Sequence, residues 1–317
     1  MEDTSMLPRG FFPPRLFCFF LPALLFVLMV FFLKPVWAGP AATLACPDRV
    51  ELGKPFAVRL TSAAPVAAMR VSWLGRTVPV SISTWNGKSV GLALLGTDLL
   101  KAGQGNRTVK VTAVLGGEEV RFSRSVRVLG RKKSAARSVQ KLTVKKKMAT
   151  PPESVLNRIA ADRKEVGRAL KRVSTSRSWR LPFARPVPGI ITSPYGIGRI
   201  FNGKRRNPHR GLDFRAAQGA PVRAACDGRV TLVGDHYFAG RSVYIDHGLG
   251  VTSLYFHLSR TDVREGQTVR RGQVIGRAGS TGRVTGPHLH FSVSVLGHLV
   301  DPLPLLKKGT DGLLAGR

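Results

Sequence analysis

Cysteine is nearly missing: the chain has three in 317 residues. Cys18 falls in an N-terminal apolar run, which leaves Cys46 and Cys226 in different parts of the chain. That excludes a disulfide-dense scaffold, and the fold must rest on its core. Acidic residues are also scarce, 18 against 50 basic, for a formal net charge of +32. Residues 181–317 hold a single glutamate, Glu265, so a Glu general base has no good candidate there. Residues 209–306 contain no lysine, which excludes a carrier domain with a prosthetic group on a hairpin-tip lysine. Histidine is absent from the first 208 residues; all seven lie beyond them.

What is present begins with a leader. Residues 16–33 form an apolar run preceded by Arg9 and Arg15. Val36 and Ala38 then stand at the small-residue positions of a cleavage site. Residues 1–38 therefore read as a signal peptide or, uncleaved, as a membrane anchor through 16–33. Either places the remainder outside the cytoplasm, in the periplasm or cell envelope. Export, with no aromatic platforms in the basic segment, argues against a nucleic-acid partner.

Residues 41–130 alternate apolar and polar residues in about seven short runs, with turn signals at Asn86-Gly87 and Gly116-Gly117. This predicts an immunoglobulin-like β-sandwich. Residues 131–180 are a basic linker and helix, with 16 basic and 3 acidic residues. The stretch 130–149 has eight basic residues and no acid, and reads as a solvated linker suited to an anionic envelope surface. Thr150 and Glu153 predict a capping box with Pro151 at the first helical position. Val155, Ile159, Val166, Leu170 and Val173 then make one apolar helical stripe. Residues 181–306 are again strand-like, with Gly-rich turns, and predict a curved antiparallel β domain; 307–317 is a tail. The fold class is mainly β.

The chemistry gathers in "NPHRGLDF" (207–214), "LYFHLS" (254–259) and "GPHLHF" (286–291). In an extended segment His209, Gly211 and Asp213 share one face, and so do His288 and His290 on a strand. Two imidazoles and a carboxylate are a common ligand set for catalytic zinc. A lone HxH or HxxxD is more often structural, so spacing alone leaves both readings open. His236, His247 and His298 read as structural.

Further matches are "SPYGIGR" (193–199), "GAPVRAACDGRV" (219–230), "YIDHGLG" (244–250), "VRRGQVIGRAGSTGRVTGPHLHF" (269–291) and "VDPL" (300–303). Together these resemble the M23 family of zinc metallopeptidases, the lysostaphin and LytM-type peptidoglycan endopeptidases, over residues 185–304. The resemblance implies one Zn²⁺ held by His209, Asp213 and His290. It puts His257 and His288 at the catalytic positions and Tyr195 along the substrate groove. It implies hydrolysis of peptidoglycan peptide stems, with a D,D-endopeptidase favoured. The alternative is a non-catalytic peptidoglycan-binding or hydrolase-activating regulator. Family members of that kind have lost ligands, whereas every position is filled here.

Overall fold

The structure is a computed structural model that describes residues 42–131 and 138–315. The expected leader, with its 16–33 anchor, lies outside the described residues. Among those described, no helix is long and apolar enough to cross a membrane.

The first part of the chain has nine strands rather than seven. One sheet runs β1 (Ala42–Ala45), β3 (Pro55–Ser62), β7 (Lys88–Gly96), β6 (Ile82–Trp85). The other runs β2 (Arg49–Glu51), β9 (Glu118–Leu129), β8 (Gly105–Leu115), β4 (Val66–Trp73), β5 (Arg76–Pro79). Two of them, β1 and β2, are short and flank the bend at Cys46–Asp48. Alternation sends Val109, Val111 and Ala113 inward from β8 while Lys110 stays exposed. Phe56 meets Trp73 across the sheets edge to face, centroids 5.2 Å apart, and the Trp73 indole N–H donates to the Gly96 carbonyl.

Residues 138–149 of the basic segment are not a free linker. Val139–Leu142 forms β10, which pairs in parallel with β12 (Gly198–Phe201); β13 (Lys204–Arg206) completes a three-stranded sheet. Val144 and Ala149 bury against Phe201, and Lys146–Ala149 makes a short helix, α1. Lys141, Lys145, Lys146 and Lys147 remain exposed, so the charge is surface while the apolar residues between them anchor the strand.

The capping box does not form. Glu153–Val155 is a 3-10 turn and the helix proper, α2, spans Leu156–Lys171 without a side-chain cap. Pro151-Pro152 is the reason: each proline keeps the residue before it extended, and Pro152 itself has ψ 158°. The stripe still works. Val166, Ala169 and Leu170 pack on Leu232, Tyr244 and Leu254.

A ten-stranded antiparallel sheet forms the second part. Its path is β11 (Ile191–Ser193), β14 (Leu212–Arg215), β21 (His288–Val295), β18 (Val251–Thr261), β17 (Gly240–Asp246), β16 (Gly228–His236), β19 (Thr268–Val269). Off this path, β15 (Pro221–Arg223) pairs with β20 (Val274–Ala278), β20 also pairs with β18, and β22 (His298–Val300) pairs with β21. With α2 on one face and the main core on the other, β17 and β18 are buried on both sides. That is why they read as near-continuous apolar runs.

The two sheet systems share one core. Asp301 caps α3 (Pro302–Lys307) through Oδ1 to the Leu303 N–H, and its Oδ2 meets Lys54 Nζ at 2.7 Å. The tail also packs: α4 (Thr310–Leu314) buries Leu313, and Asp311 pairs with Arg59 on β3.

Candidate metal centre

Register assembles the centre. β14 and β21 are paired so that Asp213 stands opposite His290. His209 precedes β14 and is tied by two backbone bonds: its N–H to the Ile197 carbonyl, and Gly196 N–H to its own carbonyl. Gly211 lets this turn pass beneath β21. A Cβ there would lie 2.5 Å from Ser292 Oγ, 2.6 Å from the Phe291 carbonyl and 2.7 Å from His290 Cε1.

Three atoms converge: His209 Nε2, Asp213 Oδ1 and His290 Nδ1. Their separations are 2.9 Å between the two nitrogens, and 3.0 and 2.8 Å from His209 and His290 to the carboxylate oxygen. Among the described residues this is the cluster of His, Cys, Asp or Glu side chains able to hold an ion. The outer bonds of each ring set its tautomer. His209 Nδ1–H donates to the Pro194 carbonyl at 3.0 Å, leaving Nε2 a bare acceptor. Ser292 Oγ–H donates to the Arg210 carbonyl at 2.9 Å, so the hydroxyl accepts from His290 Nε2–H at 2.8 Å and His290 Nδ1 is bare.

Burial keeps both rings neutral, pulling His209 below its ordinary value and His290 down to about 4 despite the carboxylate beside them. Burial alone would raise Asp213. Its carboxyl nonetheless lies well below the usual range, ionised beside the Arg199 guanidinium. Two bare nitrogens and an ionised oxygen within 3.0 Å of one another repel unless a cation lies between them. The donor set therefore fits a divalent metal with nitrogen and oxygen ligands.

Two more histidines face this point. His288 Nδ1–H donates to the Gly286 carbonyl at 2.9 Å, and its Nε2 points inward, 3.8 Å from Asp213 Oδ1. His257 Nδ1–H donates to the Thr281 carbonyl at 2.9 Å, which frees its Nε2 in the same way. The two rings are 4.9 Å apart. His257 sits where the β17–β18 register slips, with φ +65°. This bulge turns a side chain that simple alternation does not place. Burial keeps His257 well below its ordinary value. Phe256 lies flat on the His290 ring, 5.2 Å away at 10°.

Tyr195 is buried and makes its contacts elsewhere. Its hydroxyl donates to the Leu299 carbonyl at 2.7 Å, and its ring packs against Gly53 and Leu99 of the sandwich. His236, His247 and His298 also lie elsewhere. His236 bonds to Ser242 and Glu165, and His247 to the Asp227 carbonyl and Ser253. Glu265 accepts from the Val233 N–H, away from the centre.

Arg199 and Ser292 are supporting residues that sequence reasoning assigns no role. Arg199 donates to Asp213 Oδ2, fixing the carboxylate so that Oδ1 faces the histidines. Ser292 was findable: it is two residues after His290, on the same strand face. A cleft of about 280 Å³ opens beside the centre, lined by Gln140, Leu142, Asp213, Arg215, Arg283 and His288 among others.

Comparison with known proteins gives a consistent result. Residues 207–302 match the model of peptidase family M23. A crystal structure of a Pseudomonas aeruginosa protein assigned to peptidase M23 is 30% identical, covers 77% of this chain and 89% of its own, and superposes with a TM-score of 0.57. The peptidoglycan DD-endopeptidase ShyA of Vibrio cholerae is 40% identical over 137 residues, 43% of this chain and 30% of that protein. The DD-carboxypeptidase/endopeptidase Mpg of Neisseria meningitidis is 50% identical over 120 residues, 36% of this chain and 26% of that protein. The chain thus matches under a third of the length of these curated relatives.

Proposed function

Because the chain belongs to peptidase family M23, a metallopeptidase family, we propose that it is a zinc-dependent endopeptidase cutting peptide cross-links of peptidoglycan. The observation that carries this is the convergence of two tautomer-fixed imidazoles and one carboxylate, with two further imidazole Nε2 atoms facing them.

His209, Asp213 and His290 would hold the zinc, which supplies Lewis acidity toward the scissile carbonyl and makes water more acidic. The chain's own residues do the rest. His257 and His288 each present an Nε2 on a ring locked by a backbone carbonyl. One takes the proton of the attacking water. As an imidazolium it then donates to the developing oxyanion and passes the proton on to the leaving amine; the other ring stabilises the oxyanion when its own Nε2 is protonated. Phe256 and the cleft walls position the peptide and limit water.

The named relatives are DD-endopeptidases, which supports D,D-cross-links as the substrate. The envelope is the corresponding location, reached through the leader at 1–38. The exposed lysines of 141–147 suit an anionic envelope surface. The test is mass spectrometry of muropeptides released from defined cell walls by residues 39–317, zinc-loaded or chelated. Cross-linked dimers should fall to monomers only with zinc. Intact dimers under both conditions would favour the binding or regulatory reading.

A further inference from the structure

Among the described residues, one cation on the cleft wall has no side-chain partner of opposite charge. Arg283 lies in the loop between β20 and β21, five residues before His288. Its guanidinium carbon is 4.3 Å from the Phe238 ring centroid and 4.7 Å from that of Phe201. Its backbone N–H is fixed to the Phe238 carbonyl at 2.9 Å. The aromatic contacts hold the guanidinium in place without using its N–H donors. Among the described residues, no side-chain hydrogen bond or ion pair involves it.

Its charged neighbours make this costly. Burial, then the neighbouring Arg199 and Arg206 cations, pull it down to about 10. Arg199 already spends its charge on Asp213, and Arg206 donates to the Ala149 carbonyl. Both also bury an Nε with no acceptor. A half-buried guanidinium beside two cations is unfavourable until an anion arrives. Arg283 lines the same cleft as Asp213 and His288, so that anion would come with whatever occupies the cleft.

We propose that Arg283 anchors a free carboxylate of the peptide substrate next to the scissile bond, and so sets specificity for unamidated stems. The inference rests on the endopeptidase reading, which makes a peptide the occupant of the cleft. A planar donor fork matches a carboxylate in bidentate fashion and matches a carboxamide poorly. Arg215, exposed on the same wall and opposite His288 in register, adds to the positive field.

The experiment uses the zinc-loaded mature chain and two cross-linked muropeptide dimers, identical except that the carboxylates flanking the cross-link are free or carboxamides. The wild type should favour the free form in kcat/KM by about 10- to 100-fold, the range of a charge-assisted hydrogen bond, with most of the change in KM. Arg283→Gln should bring the two substrates within about twofold, with bound zinc and Tm checked alongside. Arg283→Lys should recover part of the preference. Equal hydrolysis of both dimers by the wild type overturns the inference while leaving the endopeptidase reading intact, and this arm needs no variant. Full preference retained in folded Arg283→Gln also overturns it. Hydrolysis of neither dimer by the wild type overturns the endopeptidase reading, and the inference with it.

Discussion

Ser292→Ala removes one oxygen and should weaken the metal centre without touching a ligand. Ser292 Oγ accepts from His290 Nε2–H at 2.8 Å and donates to the Arg210 carbonyl at 2.9 Å. Without it the ring loses the bond that keeps Nδ1 bare, and two polar groups lose their partner. Losing such an outer-shell bond typically costs about 10- to 100-fold in metal affinity. That is about 1.4–2.7 kcal/mol, close to the roughly 1–3 kcal/mol for leaving a buried polar group unpaired. The assay is zinc competition against a chromogenic chelator, with Ser294→Ala as control. Ser294, two residues on, has a buried Oγ with no partner, so its removal should leave zinc affinity unchanged. Wild-type affinity in Ser292→Ala, or equal losses in both variants, would refute the tautomer argument.

The remaining predictions address catalysis, packing and pH. His257→Ala and His288→Ala should each lose turnover by at least about 100-fold while binding one zinc, whereas His209→Ala should lose the zinc as well; near-normal turnover in His257→Ala would sink its assignment. Gly211→Ala drives a Cβ into Ser292, Phe291 and His290, and should cost about 1–3 kcal/mol in urea unfolding together with zinc affinity. His247 is fully buried and held down to about 4 by that burial. Its native ring stays neutral while the unfolded chain gains a proton below about 6.5, so the His247 contribution to stability should be fully present above pH 6.5 and be lost toward pH 4. The difference corresponds to about 3 kcal/mol, and a His247→Gln variant should show a correspondingly shallower slope in pH-dependent unfolding.

The centre was legible because its geometry is local. His288 and His290 share a face by strand alternation, and His209, Gly211 and Asp213 by extended spacing; β14–β21 register then joins the two segments. What alternation could not place depended on distant partners. His257 reaches the site through a bulge with φ +65°, fixed by carbonyls at Ala239 and Thr281. Tyr195 sits in a turn motif before His209, yet its ring lies against Gly53 and its hydroxyl bonds to the Leu299 carbonyl, partners far off in sequence. The basic stretch looks solvated by composition, but Val139–Leu142 finds Gly198–Phe201 across some sixty residues. A local signal also failed at Thr150, where consecutive prolines override a capping pattern.

The central claim is that one metal ion at His209, Asp213 and His290 makes this chain a cross-link hydrolase. Titrating metal-free residues 39–317 with zinc, while following hydrolysis of a purified cross-linked muropeptide dimer, tests it most directly. Activity should rise linearly and break at one equivalent per chain, with no rise in the His209→Ala variant. Hydrolysis by the chelated protein, or none at one bound zinc, would contradict the account.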